Sequence, residues 1–148
     1  RGQALGYVMK LPDEERYVLT EKELFYRIVG LLAGRAAEEY KFKEITTGAK
    51  DDFYKATDIA REMVCSYGMS ALGTLALDDV YIRYNYDFIR QEIKKITDNA
   101  YSEALNIIDE NSEILFQIAA NLLENETIDK DELEKIYNKY KKPCILAT

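Results

Sequence analysis

Only seven glycines and two prolines punctuate the 148 residues, and the prolines, Pro12 and Pro143, stand near the two ends. So few turn-formers cannot divide the chain into the many short strands of a sandwich or barrel, which makes helix the default. Capping signals and periodicity place the helices. Thr20 with Glu23 three residues on forms a capping box. Behind it Leu24, Ile28, Leu31, Leu32 and Ala36 recur at i, i+3/i+4 spacing, predicting a first helix that stops before the polar stretch Lys41–Glu44. A turn is expected at Thr46-Thr47-Gly48. A second helix follows over about Asp51–Tyr67, closed by Gly68 as a C′ glycine. Residues 69–83 read as a loop with a short strand at Thr74–Leu77. The longest helix is expected over Asp87–Glu110, with Ile89, Ile93, Ile96, Ala100, Ala104 and Ile107 on one face. Asn111 is placed to cap a fourth, Ser112–Glu124. Asp129 with Glu132 opens a fifth that reaches Tyr140, and Pro143 stops it. Ahead of all these, Leu5-Gly6-Tyr7-Val8-Met9 reads as a short strand before the charged loop Pro12–Arg16. The expected fold is therefore mainly α, a helical bundle with a short β-strand element at its N-terminus, forming one domain over residues 1–148.

Apolar residues at 47% give such a domain a real core. With 27 acidic against 20 basic residues and a net charge of −7, there is no overall electrostatic case for nucleic acid or anionic lipid. The chain has no histidine. That excludes, within these residues, a Ser-His-Asp or Cys-His apparatus, a histidine general base and the common histidine-based zinc sites. Cys65 and Cys144 form no C-x-x-C pair and read as free thiols of a reducing compartment, with one distant disulfide as the alternative. No apolar run reaches the length of about 18 residues that a membrane span needs. The chain opens at Arg1 rather than Met and reads as a piece of something longer.

Chemistry concentrates at Thr46-Thr47-Gly48-Ala49-Lys50-Asp51-Asp52-Phe53. Two carboxylates at a helix start are first of all what the macrodipole favours, and on pattern alone that plain structural reading leads. Helical phase nevertheless separates them. Asp51 heads the polar row Lys55, Asp58, Glu62, whereas Asp52 heads Ala56, Ile59/Ala60 and Met63, the stripe expected to be buried. A carboxylate turned toward a core needs backbone N–H groups, an arginine such as Arg35, or a metal ion. In Gly34-Arg35-Ala36-Ala37-Glu38-Glu39 the small residues permit close helix packing, and Arg35 is expected to pair with Glu38 or Glu39. Tyr81, Tyr84 and Tyr86 with Arg83 read as a partly buried aromatic patch or subunit contact rather than a base-stacking surface.

Several segments together resemble the FtsH family of membrane-anchored, ATP-dependent zinc metalloproteases. They are Arg1-Gly2-Gln3-Ala4-Leu5-Gly6-Tyr7, Leu11-Pro12 with Glu15-Arg16-Tyr17, Gly34–Glu39, Thr47–Phe53 with Ala56-Thr57 and Ala60-Arg61, Tyr67-Gly68-Met69-Ser70, and Leu123-Glu124 with Glu126-Thr127. The resemblance covers nearly the whole chain and places it after the zinc-binding H-E-x-x-H helix of the peptidase domain. It implies that Asp52 is the downstream aspartate ligand of the zinc, that Ala4, Leu5, Gly6 and Tyr7 belong to an edge strand pairing with unfolded polypeptide, and that Thr47 and Gly48 shape the turn aiming Asp52. It further implies a homo-hexamer, an ATPase module using ATP and Mg2+, a membrane anchor supplied by an N-terminal segment, and a peptidase domain on the soluble side, the cytoplasmic face in bacteria.

This chain departs from the pattern in four respects. The H-E-x-x-H helix, with both histidine ligands and the glutamate base, is missing; the ATPase module is missing too; Asp51 stands where the family commonly has Asn; and the loop after Ser70 is shorter and lacks the common Gly-rich stretch. The 148 residues alone are therefore expected to be inactive. Two alternatives stay open: a non-catalytic helical scaffold or oligomerisation module in which Asp52 is a satisfied helix-start carboxylate, and a zinc-free relative that keeps the scaffold only.

Overall fold

A computed structural model describes residues 18–75 and 77–141. The described residues form helices and connecting turns, with no strand among them. The order is α1 (Glu21–Phe42), a 3-10 turn (Thr47–Ala49), α2 (Lys50–Cys65), α3 (Asp79–Tyr84), α4 (Tyr86–Glu110), α5 (Ser112–Asn125) and α6 (Lys130–Tyr140). The mainly α class holds. The strand element at Leu5–Met9 and the stop at Pro143 lie outside the described residues.

α1 begins where the capping box puts it. The Thr20 hydroxyl accepts from the Glu23 N–H at 3.2 Å, and the Glu23 carboxylate accepts from the Thr20 N–H at 2.8 Å, so two orphan donors are satisfied reciprocally. Its apolar stripe, Leu24, Ile28, Val29, Leu32 and Ala36, meets Ala56, Ala60 and Met63 of α2 and Ala100 and Ala104 of α4 in one buried cluster. Five of these positions are alanines, each at most 1% exposed. Such small side chains let the three helix axes approach closely, and the cluster leaves little room for an added methylene. α5 packs chiefly on α6. Near its start Ile114 is buried, and Lys41 Nζ of α1 sits 4.4 Å from the Phe116 ring centre.

Three local expectations need correction. Residues 71–74 are turn and Leu75 is irregular, so the strand expected at Thr74–Leu77 is not formed by its described residues. The loop expected to run to residue 83 instead contains α3, because the Asp78 carboxylate accepts from the Tyr81 N–H at 2.6 Å and nucleates a short helix. Asn111 does not cap α5. Its Nδ2 donates back to the Ile107 carbonyl at 2.8 Å, closing α4. By contrast Asp129 accepts from the Glu132 N–H at 2.8 Å and opens α6 as its capping signal requires. Gly68 adopts φ +66, and beyond it the Met69 N–H returns to the Met63 carbonyl at 2.9 Å, a left-handed closure that suits glycine.

Candidate functional site

The segment leading into α2 is built around Thr46. Its backbone is extended, and its hydroxyl oxygen accepts from the Gly48 N–H at 3.2 Å, capping the 3-10 turn. The same hydroxyl donates to Glu38 Oε1 at 2.9 Å, and the Thr46 N–H donates to Glu38 Oε2 at 3.3 Å. The turn is thereby fastened to the C-terminal half of α1. α2 starts at Lys50 with no side-chain cap of its own, because Ala49 occupies its N-cap position. Thr47 and Gly48, the expected shaping residues, make up the first two positions of the turn. A Cβ at Gly48 would stand 3.3 Å from the Thr46 Oγ1 and 3.9 Å from Glu38 Oε1.

Asp52 sits in the first turn of α2. The stripe it heads is buried at Ala56, Ala60 and Met63, but Asp52 itself lies at the rim, its side chain 44% exposed. Phase assigned the buried face correctly from Ala56 onward, but the Asp52 carboxylate, expected to turn toward the core, is half-exposed. Its described contact is Lys55 Nζ at 3.9 Å, an exposed i,i+3 pair that holds it weakly. Asp51 is exposed.

Arg35 is not its partner. The guanidinium lies over the Phe53 ring, 5.2 Å from its centre, and Nε and Nη1 are buried without a hydrogen-bond acceptor among the described residues. The expected Arg35–Glu38/Glu39 ion pairs are likewise replaced. Glu38 is taken by Thr46, and Glu39 accepts from the Tyr101 hydroxyl of α4. Partial burial, together with that hydrogen bond, pushes the Tyr101 phenol up to about 12. The aromatic patch is more open than expected, with Tyr84 83% and Tyr86 62% exposed. Cys65 is a free, half-buried thiol whose pKa burial raises, against a smaller lowering by Arg61. Ala4, Leu5, Gly6 and Tyr7 lie outside the described residues.

Among the described residues no three His, Cys, Asp or Glu side chains converge as a cation site. A half-exposed aspartate is nevertheless a chemically suitable hard donor for zinc or another divalent ion. The residues present thus fit one ligand's share of a metal centre. Pattern named Glu38 only as a partner for Arg35 and missed its bonds to Thr46. The capping residue Thr46 was visible, but nothing in helical periodicity links it to a side chain on the preceding helix.

Comparison with known proteins defines the class. The family model described as Peptidase family M41 matches residues 1–136. ATP-dependent zinc metalloprotease FtsH 2 of Thermoanaerobacter sp. (strain X514) is 43% identical over 145 residues, which is 98% of this chain and 28% of the relative. FtsH of Bacillus subtilis (strain 168) is 42% identical over 153 residues, covering 92% of this chain and 24% of that protein. FtsH of Rubrobacter xylanophilus is 38% identical over 156 residues, 95% of this chain and 24% of its own length. The chain belongs to peptidase family M41, and it spans about a quarter of the length of these curated relatives.

Proposed function

We propose that these residues form the C-terminal portion of the peptidase domain of an ATP-dependent zinc metalloendopeptidase of the FtsH type, acting on unfolded or membrane proteins. The observation that carries this reading is Asp52, a half-exposed carboxylate on the first turn of a helix whose later turns are buried in the core. The scaffold alternative takes Asp52 as a satisfied helix-start carboxylate, with Arg35 as the partner that would mark a closed core; Arg35 instead covers Phe53, and Asp52 has the exposed Lys55 at 3.9 Å.

In this reading Asp52 supplies one carboxylate ligand. The chain contains no histidine, so two imidazole ligands and the glutamate that moves protons belong to an H-E-x-x-H helix beyond these 148 residues. Zinc, when bound, lowers the pKa of water and polarises the scissile carbonyl. The protein's own contribution from this chain is positional: the 3-10 turn sets the first turn of α2, and α2 aims Asp52. Ala4–Tyr7 would offer backbone groups to an extended substrate, giving affinity without side-chain selectivity. One carboxylate cannot hold zinc tightly, so the 148-residue chain alone is expected to show no proteolysis. A homo-hexamer, a coupled ATPase with ATP and Mg2+, a membrane anchor and a cytoplasmic-face location complete the proposal. Among the described residues no helix is long and apolar enough to cross a membrane.

The test is Asp52→Asn in the full-length protein. Zinc content should fall well below one ion per subunit, and casein hydrolysis should drop by at least about 100-fold, the upper range for disturbing a metal's supporting groups. Wild-type zinc content together with wild-type proteolysis would sink the assignment.

A further inference from the structure

The segment between α1 and α2 is held in an unusual way. Its large apolar residue Ile45 is 66% exposed, and Phe42 at the end of α1 is 68% exposed, so hydrophobic burial does not fix its path. Lys43 ends α1 in the left-handed region at φ 56. Seven residues later, at Lys50, the chain must nonetheless enter α2 on a fixed trajectory, and α2 has no cap of its own.

Glu38 supplies the restraint. Each of its carboxylate oxygens takes one donor from Thr46, the hydroxyl at 2.9 Å and the backbone N–H at 3.3 Å. Two bonds from one planar carboxylate to one residue fix orientation as well as distance. With its proton committed to Glu38, the Thr46 oxygen aims a lone pair at the Gly48 N–H, 3.2 Å away. The relay then passes through the backbone, where the Lys50 N–H bonds to the Thr47 carbonyl and leads into α2. The order of transmission is Glu38, Thr46, Gly48, the start of α2, Asp52.

We propose that Glu38 is a positioning residue for Asp52, acting through Thr46 to set the first turn of α2 in the orientation that a metal ion needs. The inference rests on the reading of Asp52 as a zinc ligand. Glu38 does not touch the metal; it governs how much of the Asp52 population already points the right way, and hence the affinity of the assembled site.

The experiment uses the full-length protein and measures the zinc dissociation constant by competition with a chromogenic chelator, alongside circular dichroism and thermal melting. Glu38→Ala should weaken zinc binding by about 10- to 100-fold, the range for supporting groups around a metal, with helix content retained. Thr46→Val, which keeps the side chain's shape and loses the hydroxyl, should weaken it in the same direction. Thr46→Ser keeps the hydroxyl and should restore affinity to within about twofold of wild type. Because the two residues act as one unit, the Glu38→Ala/Thr46→Val pair should bind zinc no more weakly than the worse single variant by more than about twofold. A merely structural role would lower the melting temperature and leave the zinc constant of folded protein unchanged, and that result overturns the proposal. Should Glu38→Ala fail to fold, unchanged zinc affinity in Thr46→Val is sufficient to overturn it. Asp52→Asn separates the two layers of argument. If it leaves zinc affinity intact, the ligand reading fails; if it abolishes binding while Glu38→Ala does not weaken it, only the positioning role fails.

Discussion

Gly68 and Gly73 offer a comparison in which two physical costs can be told apart. Both residues lie in the left-handed region, at φ +66 and φ +61. An alanine there carries the left-handed penalty of roughly 1–2 kcal/mol, partly offset by about 0.4–1 kcal/mol from stiffening the unfolded chain. At Gly73 nothing lies within 4 Å of the added Cβ, so Gly73→Ala should cost only the remainder, about 1 kcal/mol. At Gly68 the same Cβ would stand 2.7 Å from the carbonyl oxygen of Gly73. That oxygen is backbone and cannot swing aside, and its own residue is tied down by the bond from the Gly73 N–H to the Ser70 carbonyl at 2.9 Å. Relief therefore moves the whole 70–73 turn, adding an overpacking cost of typically 1–3 kcal/mol. Gly68→Ala should then lose about 2–4 kcal/mol in total by these two terms. The assay is urea unfolding of both variants followed by far-ultraviolet circular dichroism, with m-values compared to confirm that only stability changed. Equal losses at the two positions would refute the close approach of Gly68 to Gly73. No loss at either would refute the left-handed closure of α2 itself.

Two further outcomes are expected. Tyr101 is held neutral in the fold, its phenol raised from 10.0 to about 12, so its contribution is complete below pH 10 and disappears as pH rises through 12; Tyr101→Phe should flatten the fall in stability across that window, and parallel pH–stability curves for variant and wild type would contradict the Glu39 contact. Glu126 ends α5 at φ 62 with its N–H bonded to the Leu122 carbonyl at 2.9 Å, so Glu126→Gly should stabilise by about 0.5–1 kcal/mol and slow amide exchange in the last turn of α5, whereas a loss of stability would speak against that cap geometry.

What was legible in the sequence was whatever local physics fixes. The α1 start at Thr20, the α6 start at Asp129 and the buried stripes of α1 and α2 follow from side chains three or four residues apart, and they formed as spaced. α3 escaped because it spans only Asp79–Tyr84, too short for a period of 3.6 to repeat, although Asp78 carried its cap. Asn111 was misread because its amide had two backbone ends within reach, and the Ile107 carbonyl won. The destinations of Arg35, Glu38 and Glu39 were not legible at all. Each had an attractive partner one helical turn away, yet each found a better one across an interface: the Phe53 ring, Thr46 and Tyr101. Exposed i,i+3 and i,i+4 ion pairs contribute only about 0.3–0.5 kcal/mol. A bond to a group already fixed by packing costs less side-chain entropy, and it outcompetes them.

The same competition bears on Asp52. Its direction follows from the phase of α2, and that phase is locked by Ala56, Ala60 and Met63 in the three-helix core. Core packing acts from Ala56 onward, however, and Asp52 lies one turn outside it, on the part of a helix whose N–H groups lack intrahelical partners and which frays first. A half-exposed carboxylate whose tether among the described residues is a lysine 3.9 Å away would average over several orientations if that first turn were free. The side-chain bonds that restrain it from the far side come from Glu38 through Thr46 and Gly48. Asp52 is therefore held between two anchors of different kind, apolar burial on its C-terminal side and a carboxylate relay on its N-terminal side. Loss of the first costs global stability, whereas loss of the second costs orientation with little change in the core.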